Sequence, residues 1–183
     1  NDLYQQCLII RKQVGDQRGI AHTLNNLARV AIQQEDYVRA TDLYQQSLAI
    51  NQPIGFQYGE YNALMGLGRV AFKQGVGGAL TWSRKALPIA HGMQRIPEVL
   101  WCIVYMAGMF VQGGQAERAA QLVGLAQQHP AKNSDVHDAL TDVMPHLEAA
   151  LPPEDLAAAL EQGKSLELDA VVGELLAEFG QEA

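Results

Sequence analysis

The sequence predicts an all-α protein: a solenoid of about three and a half helix pairs followed by a C-terminal helical cap. Three observations carry that prediction. DLYQQCLII at residues 2–10 returns as DLYQQSLAI at 42–50, identical at seven of nine positions. Two unrelated segments would not agree so closely, so the chain repeats itself, and self-similarity at a period of roughly 20–50 residues marks a stacked array. Within each copy the apolar residues fall at i, i+3, i+4 and i+7, one face of an α-helix. No stretch combines period-2 alternation with β-branched enrichment, so no strand is predicted.

The elements follow in order. Residues 1–14 read as one helix, the second half of a repeat whose first half is missing, with Tyr4 and Cys7 as its repeat-pattern positions. The chain opens inside a periodic segment and without an initiating Met, so it reads as a piece of a longer protein. Residues 17–52 form the first complete pair. Leu24, Leu27, Ala28 and Ala31 make one helical face, QEDY is the turn, and Ala40, Leu43, Tyr44, Ser47 and Leu48 make the next face. Residues 56–92 form the second pair. Gly15 and Gly19 recur as Gly55 and Gly59, and LARVAIQQ at 27–34 recurs as LGRVAFKQ at 67–74, all forty residues apart. Residues 95–128 form a fainter third pair, with MAGMFVQG at 106–113 following 67–74 at a spacing of thirty-nine. The lost residue belongs to the turn, where QQEDYVRA becomes KQGVGGA, and Gly113 and Gly114 end the first helix of this pair.

Residues 129–183 depart from the repeat. HPAKNSD at 129–135 reads as a loop, with Ser134 or Asp135 as N-cap of a helix from about Val136 to Leu151. Pro152 and Pro153 open another helix, and Gly163 stops it. Ser165 caps a last helix whose apolar face is Val171, Val172, Leu175 and Leu176. An end unit with a polar outer face is what a solenoid needs to stay soluble.

These residues resemble the tetratricopeptide repeat. That family wants a large residue, then Leu-Gly, then a bulky residue on the first helix, and Ala, an aromatic and Ala on the second. The second pair offers Leu64, Leu67, Gly68 and Ala71, then Ala79 and Ala86; the first offers Leu24, Leu27 and Ala28, then Tyr37, Ala40 and Tyr44; the third offers Ile103, Met106, Ala107 and Phe110, then Ala119 and Ala126. Small residues at Gly68 and its equivalents are expected where two helix backbones come close. HEAT-type repeats also run near forty residues and are the structural rival, but the order of small and aromatic positions favours the tetratricopeptide reading. The resemblance implies a right-handed superhelix whose inner wall is lined by the first helix of each pair. The tail, with QLVGLAQ at 121–127, LPPEDLAAAL at 151–160 and EQGKSLELDAV at 161–171, is similar to the C-terminal helical-repeat regions of large bacterial signalling and transcription-regulatory ATPases. It keeps Gly163, Ser165 and Glu167 but lacks the aromatic residues of that pattern.

Charge excludes some partners. The net charge of −7 divides into +3 over residues 1–118 and −10 over 119–183. The acidic part repels phosphate backbones, so no nucleic-acid partner is expected for this segment. No apolar run is long enough for a membrane helix and no leader is visible, so a cytoplasmic location without membrane contact is expected. Cys7 and Cys102 are the only cysteines and both sit in apolar helical patterns, which predicts two buried, reduced thiols.

Chemistry is hard to find. His137 and His146 fall on one side of a helix with Asp138 and Asp142 nearby, but the spacing matches no metal motif, and solvated polar side chains explain it. GVGG at 75–78 has no strand before it and no Gly-Lys-Ser/Thr after it, so it is not a phosphate loop. With no nucleophile–base pair, no metal ligand set and no cofactor motif, no catalytic residue, metal or cofactor is predicted.

What remains is a surface. The family's inward positions give His22, Asn25, Arg29 and Gln33 on the first pair; Asn62, Met65, Arg69 and Lys73 on the second; and Trp101, Val104, Tyr105 and Gln112 on the third. Arg29 and Arg69, with Lys73 and Asn25, could hold a carboxylate or phosphate, and Trp101 with Tyr105 could be an aromatic anchor. Alternatively, the two arginines pair with acids of neighbouring helices and Trp101 packs in the core. Some family members grip the C-terminal carboxylate of chaperones with lysines where this chain has Asn25 and Gln33, so that adaptor role is disfavoured. The expected function is a non-catalytic module binding a protein, a peptide or a small effector, within a larger signalling or transcription-regulatory protein. The alternative is a structural spacer or self-association arm, dimerising through the helix at residues 1–14.

Overall fold

A computed structural model describes residues 2–75 and 78–180. The central residues of the GVGG stretch, 76 and 77, lie outside the described residues. Among those described, every regular element is an α-helix: α1 (Asp2–Val14), α2 (Gln17–Gln33), α3 (Tyr37–Asn51), α4 (Gln57–Gln74), α5 (Ala79–Gly92), α6 (Ile96–Gln112), α7 (Ala116–Gln128), α8 (Ser134–Ala150), α9 (Pro153–Gly163) and α10 (Leu168–Gly180). No described helix is long and apolar enough to cross a membrane.

Short turns join these helices into consecutive pairs, and those after α1, α2, α3, α5 and α6 share one geometry. The left-handed residue recurs at Gly15, Glu35, Gly55, Gly75, Gln94 and Gly114, a step of twenty residues with one of nineteen. Behind it the amide of the following residue reaches five residues back: Asp16 N–H to Arg11 C=O at 3.0 Å, Asp36 to Ala31 at 2.9 Å, Phe56 to Asn51 at 3.0 Å, Arg95 to Ala90 at 3.3 Å and Gln115 to Phe110 at 2.8 Å. That six-to-one bond is the signature of a Schellman helix end. The forty-residue repeat is therefore two twenty-residue helix-and-turn halves with the same stop signal. Asp16 and Asp36 then cap the next helix, accepting from Gly19 N–H at 2.9 Å and Arg39 N–H at 3.1 Å.

Glu35 and Gln94 hold φ of +57° and +56° without being glycine. A side chain in that region costs roughly 1–2 kcal/mol, against about 0.5–1 kcal/mol of extra chain entropy for glycine. Glu35→Gly is expected to raise stability by about 0.5 kcal/mol, read as a rise in the urea midpoint at unchanged slope.

The chain divides into two compact units, residues 1–89 and 90–183. The sequence pattern changes at residue 129, but the contacts divide within α5, so the α6–α7 pair goes with the C-terminal helices. In the first unit α1 packs on α2, α2 on α3, α3 on α4, and α2 also on α4. The core between them holds Ile20, Leu24, Leu27, Ala28, Ala31, Leu43, Tyr44, Leu67 and Val70, with Leu8, Tyr37 and Trp82 packed against it. In the second unit α8 lies mainly on α6 and α9 on α7, so each helix of the α6–α7 pair is covered by one helix of the cap. Val136, Ala139, Val143 and Leu147 of α8 are buried, as are Val171, Val172 and Leu175 of α10.

Several sequence expectations change here. Cys7 is exposed, and only Cys102 is a buried thiol. The reason is that α1 packs on α2, burying none of its residues fully, and Cys7 lies off that contact. The N-cap of α8 is Asn133, whose side chain accepts from Val136 N–H at 3.1 Å, rather than Ser134 or Asp135. Ser165 does not cap α10; its hydroxyl donates to Gln162 C=O at 2.8 Å and closes the end of α9. Gly68 is not the tightest helix approach either. A Cβ there would meet Ser83 Oγ at 3.4 Å and Trp82 Cβ at 3.5 Å, ordinary contact, which is why Ala28 and Ala107 serve at the equivalent positions. Backbones approach closest at Gly124 of α7 and Gly163 of α9. A Cβ on Gly124 would stand 2.1 Å from Leu160 C=O, and one on Gly163 would stand 2.0 Å from Gln121 C=O.

Candidate functional site

In the first unit the wall is made by α2 and α4, the neighbouring first helices of two pairs. On α2 the exposed stripe runs His22, Asn26, Arg29, Gln33, at i, i+4, i+7 and i+11, with Asn26 partly buried. His22 Nδ1 and Asn26 Nδ2 are 3.3 Å apart. On α4 the matching stripe is Tyr58, Asn62, Arg69 and Lys73: Tyr58 and Lys73 are exposed, while Asn62 and Arg69 are partly buried. Asn62 Nδ2 donates to Tyr58 C=O at 2.9 Å. Tyr58 stacks on Tyr61 with ring centroids 6.4 Å apart and meets Phe56 edge-on at 6.5 Å. The Arg18 guanidinium lies over Phe56, 5.1 Å from its centroid.

Four residues expected on an inner wall are inside. Asn25 is 8% exposed, Met65 0%, Val104 0% and Tyr105 2%. Asn25 and Asn26 differ by 100° around the helix, and the structure turns Asn26 outward; a buried residue at 25 agrees with Met65 and Val104 at the equivalent positions. The signal for Asn26 was present, since His22, Arg29 and Gln33 already fix the phase. Tyr58 had no such signal, because it belongs to an aromatic cluster at the start of α4.

The aromatic pair sits in the second unit. Trp101 is partly buried and packs edge-on against Tyr105 at 6.2 Å. The Tyr105 hydroxyl donates to Asp142 Oδ2 at 2.8 Å, tying α6 to α8. Tyr105 is thus a structural strut, and Asp142 is its partner rather than a metal ligand. His137 and His146 are exposed, as is Gln112. Among the described residues no three His, Cys, Asp or Glu side chains are grouped to hold a metal ion. The same unit has a cleft of about 360 Å³ whose lining includes His91, Arg95, Ile96, Asp169 and Val172. Beside it Arg95 pairs with the nearly buried Glu98 at 2.6 Å.

The electrostatics of the α2–α4 wall are one-sided. The two helices carry Arg18, Arg29, Arg69 and Lys73 against a single acid, Glu60, which accepts from Gln52 Nε2 at 3.1 Å at the start of α4. Charge-assisted hydrogen bonds from Arg and Lys to a carboxylate are the strongest contacts such a surface can make.

Residues 2–52 match the family model described as tetratricopeptide repeat, which spans α1, α2 and α3. No curated protein sequence and no solved structure matches the chain.

Proposed function

We propose that this chain is a non-catalytic protein-binding module, and that the α2–α4 wall takes an acidic segment of its partner. Tetratricopeptide repeats in general bind other proteins, and the match over residues 2–52 covers the helices that build half of this wall. The observation that carries the finer reading is the placing of Arg29 and Arg69 at equivalent positions of two neighbouring helices, with exposed Lys73 one turn beyond Arg69. His22, Gln33 and Asn62, with Asn26 and Tyr58, supply neutral hydrogen bonds along the same stripes. Asn25, Met65, Val104 and Tyr105 drop out of the contact set because they are buried. Trp101 and Gln112 lie on α6 of the second unit and do not belong to the α2–α4 wall. The similarity of the tail supports the view that the module serves a larger signalling or transcription-regulatory protein in the cytoplasm. A small acidic effector would meet the same cations, but a stripe running the length of two helices suits a chain better than a point ligand.

The test reverses two exposed cations, Arg29→Glu and Lys73→Glu together, leaving the core untouched. Affinity capture from lysate, read by mass spectrometry at low and high salt, is expected to lose its acidic partners by about tenfold in the variant. In the native chain the same partners should weaken as salt rises through the screening range. Equal recovery by the native and reversed chains removes the wall as the site.

A further inference from the structure

The cleft in the second unit joins an apolar lining to charges of both signs. Its volume of about 360 Å³ is at the small end of the roughly 300–1,000 Å³ of ligand sites, so it suits a molecule of metabolite size. Two helices that start beside it supply the apolar lining: α6 gives Ile96 and Val99, and α10 gives Leu168 and Val172. Val99 and Val172 are buried, Leu168 is half-buried and Ile96 stays 41% exposed. The polar lining is split by sign. His91, near the end of α5, and Arg95, in the turn before α6, stand on one element pair, and Asp169 stands in the first turn of α10.

These opposite charges do not neutralise each other. Asp169 is exposed, and its carboxylate has no hydrogen bond or ion pair with any described residue. Arg95 is anchored: its Nε and Nη2 both meet Glu98 Oε1 at 2.6 Å. Those contacts engage two of the three guanidinium nitrogens on one oxygen and fix the group in place, and the side chain is still 50% exposed. A ligand carrying only a carboxylate would meet Asp169 as well as Arg95. One carrying only an ammonium would meet Arg95 as well as Asp169. A wholly apolar one would strip water from both charges with nothing in return.

We propose that the cleft binds a free apolar α-amino acid of leucine's size. Its carboxylate meets Arg95, with His91 as a further hydrogen-bond partner, and its ammonium meets Asp169. Its side chain lies on Val99, Leu168 and Val172. The two ionic contacts set its orientation, and burial of the side chain adds affinity. Only a free amino acid carries both charges on the carbon that bears the side chain. A peptide's amino terminus lacks the carboxylate, and its carboxyl terminus lacks the ammonium. The site is separate from the α2–α4 wall and stands whether or not the wall takes an acidic partner. A ligand seated there touches α6 and α10 at once, so it stabilises the second unit.

Calorimetric titration of the 183-residue chain tests this with three probes: L-leucine, N-acetyl-L-leucine without the ammonium, and L-leucinamide without the carboxylate. Leucine is expected to bind with a dissociation constant of roughly 10–1,000 µM, and each blocked analogue about tenfold more weakly. Asp169→Asn, at an exposed position, should weaken leucine about tenfold and leave N-acetylleucine unchanged. Ile96→Trp fills the cleft from its exposed rim and should abolish leucine binding while the ligand-free chain melts as before. No binding of leucine up to about 10 mM overturns the proposal. So does equal binding of either analogue, which would give the cleft to a peptide terminus or to a singly charged ligand. An Asp169→Asn chain, or a folded Ile96→Trp chain, that takes leucine as the native chain does overturns it too.

Discussion

Gly163→Val is expected to destabilise the second unit by about 3 kcal/mol, seen as a fall of about 15 °C in the midpoint of its thermal transition. The size follows from what the new Cβ meets. At Gly163 it would stand 2.0 Å from the carbonyl oxygen of Gln121, and at Gly124 the reciprocal Cβ would stand 2.1 Å from that of Leu160. Both obstacles are helix backbone, so no rotamer change relieves them, and α7 and α9 must move apart. Separation also breaks the Gln121 Nε2 bond to Gln162 Oε1 at 2.9 Å and the bond from Gln128 to the Lys164 carbonyl. It opens the packing around Leu122, Leu156 and Ala159, all buried. Gly124→Val should cost nearly as much alone. The two together should cost clearly less than their sum, because the first already lifts the helix that the second would push. Gly173→Ala, where a Cβ meets nothing within 4 Å, controls for helix propensity and should raise the midpoint slightly. Calorimetry of the four chains checks the whole pattern, and strict additivity would show that the glycines act separately.

These two glycines also mark where sequence reading stops. Gly163 stands near the end of an apolar run, and from sequence alone it reads as a helix stop, because a helix-ending glycine and a helix-crossing glycine look alike. Only the helix packed against it, α7, tells them apart. The repeat itself was legible because the same nine residues occur twice and the turn glycines share a register. Its inner symmetry of twenty residues was hidden, since Glu35 and Gln94 fill two left-handed positions that glycine fills elsewhere. The apolar helical pattern around Cys7 predicts a buried thiol, yet α1 is not covered on both sides as its sequence twin α3 is; the sequence of a helix does not say how many neighbours it has. Ser165 was misplaced by two residues for a local reason: a serine between helices can close the one before or open the one after, and here its hydroxyl points back to Gln162. On the wall, repeat equivalence pairs Arg29 with Arg69 and Gln33 with Lys73. The error at Asn25 came from helical phase, where neighbouring asparagines differ by more than a quarter turn.

That error makes its own prediction. Asn25→Leu should raise stability by about 2 kcal/mol while leaving partner capture unchanged. Asn25 is 8% exposed, and its Oδ1 is buried without a hydrogen-bond partner. An orphaned buried acceptor forfeits the water bond it made in the unfolded chain, a loss of roughly 1–3 kcal/mol. The equivalent positions in the next two pairs are Met65 and Val104, both 0% exposed. The fold therefore already accepts apolar side chains of leucine's class at this point of the repeat, and the substitution exchanges an unmet polar group for buried hydrocarbon. Chemical denaturation should show a higher midpoint at constant slope. The capture experiment separates two roles for the residue. Undiminished recovery beside the loss produced by the Arg29→Glu, Lys73→Glu chain places recognition on the outward stripe of α2. A loss of partner from the stabilised Asn25→Leu chain would mean that the amide is turned outward on binding, and the wall would then have to include it.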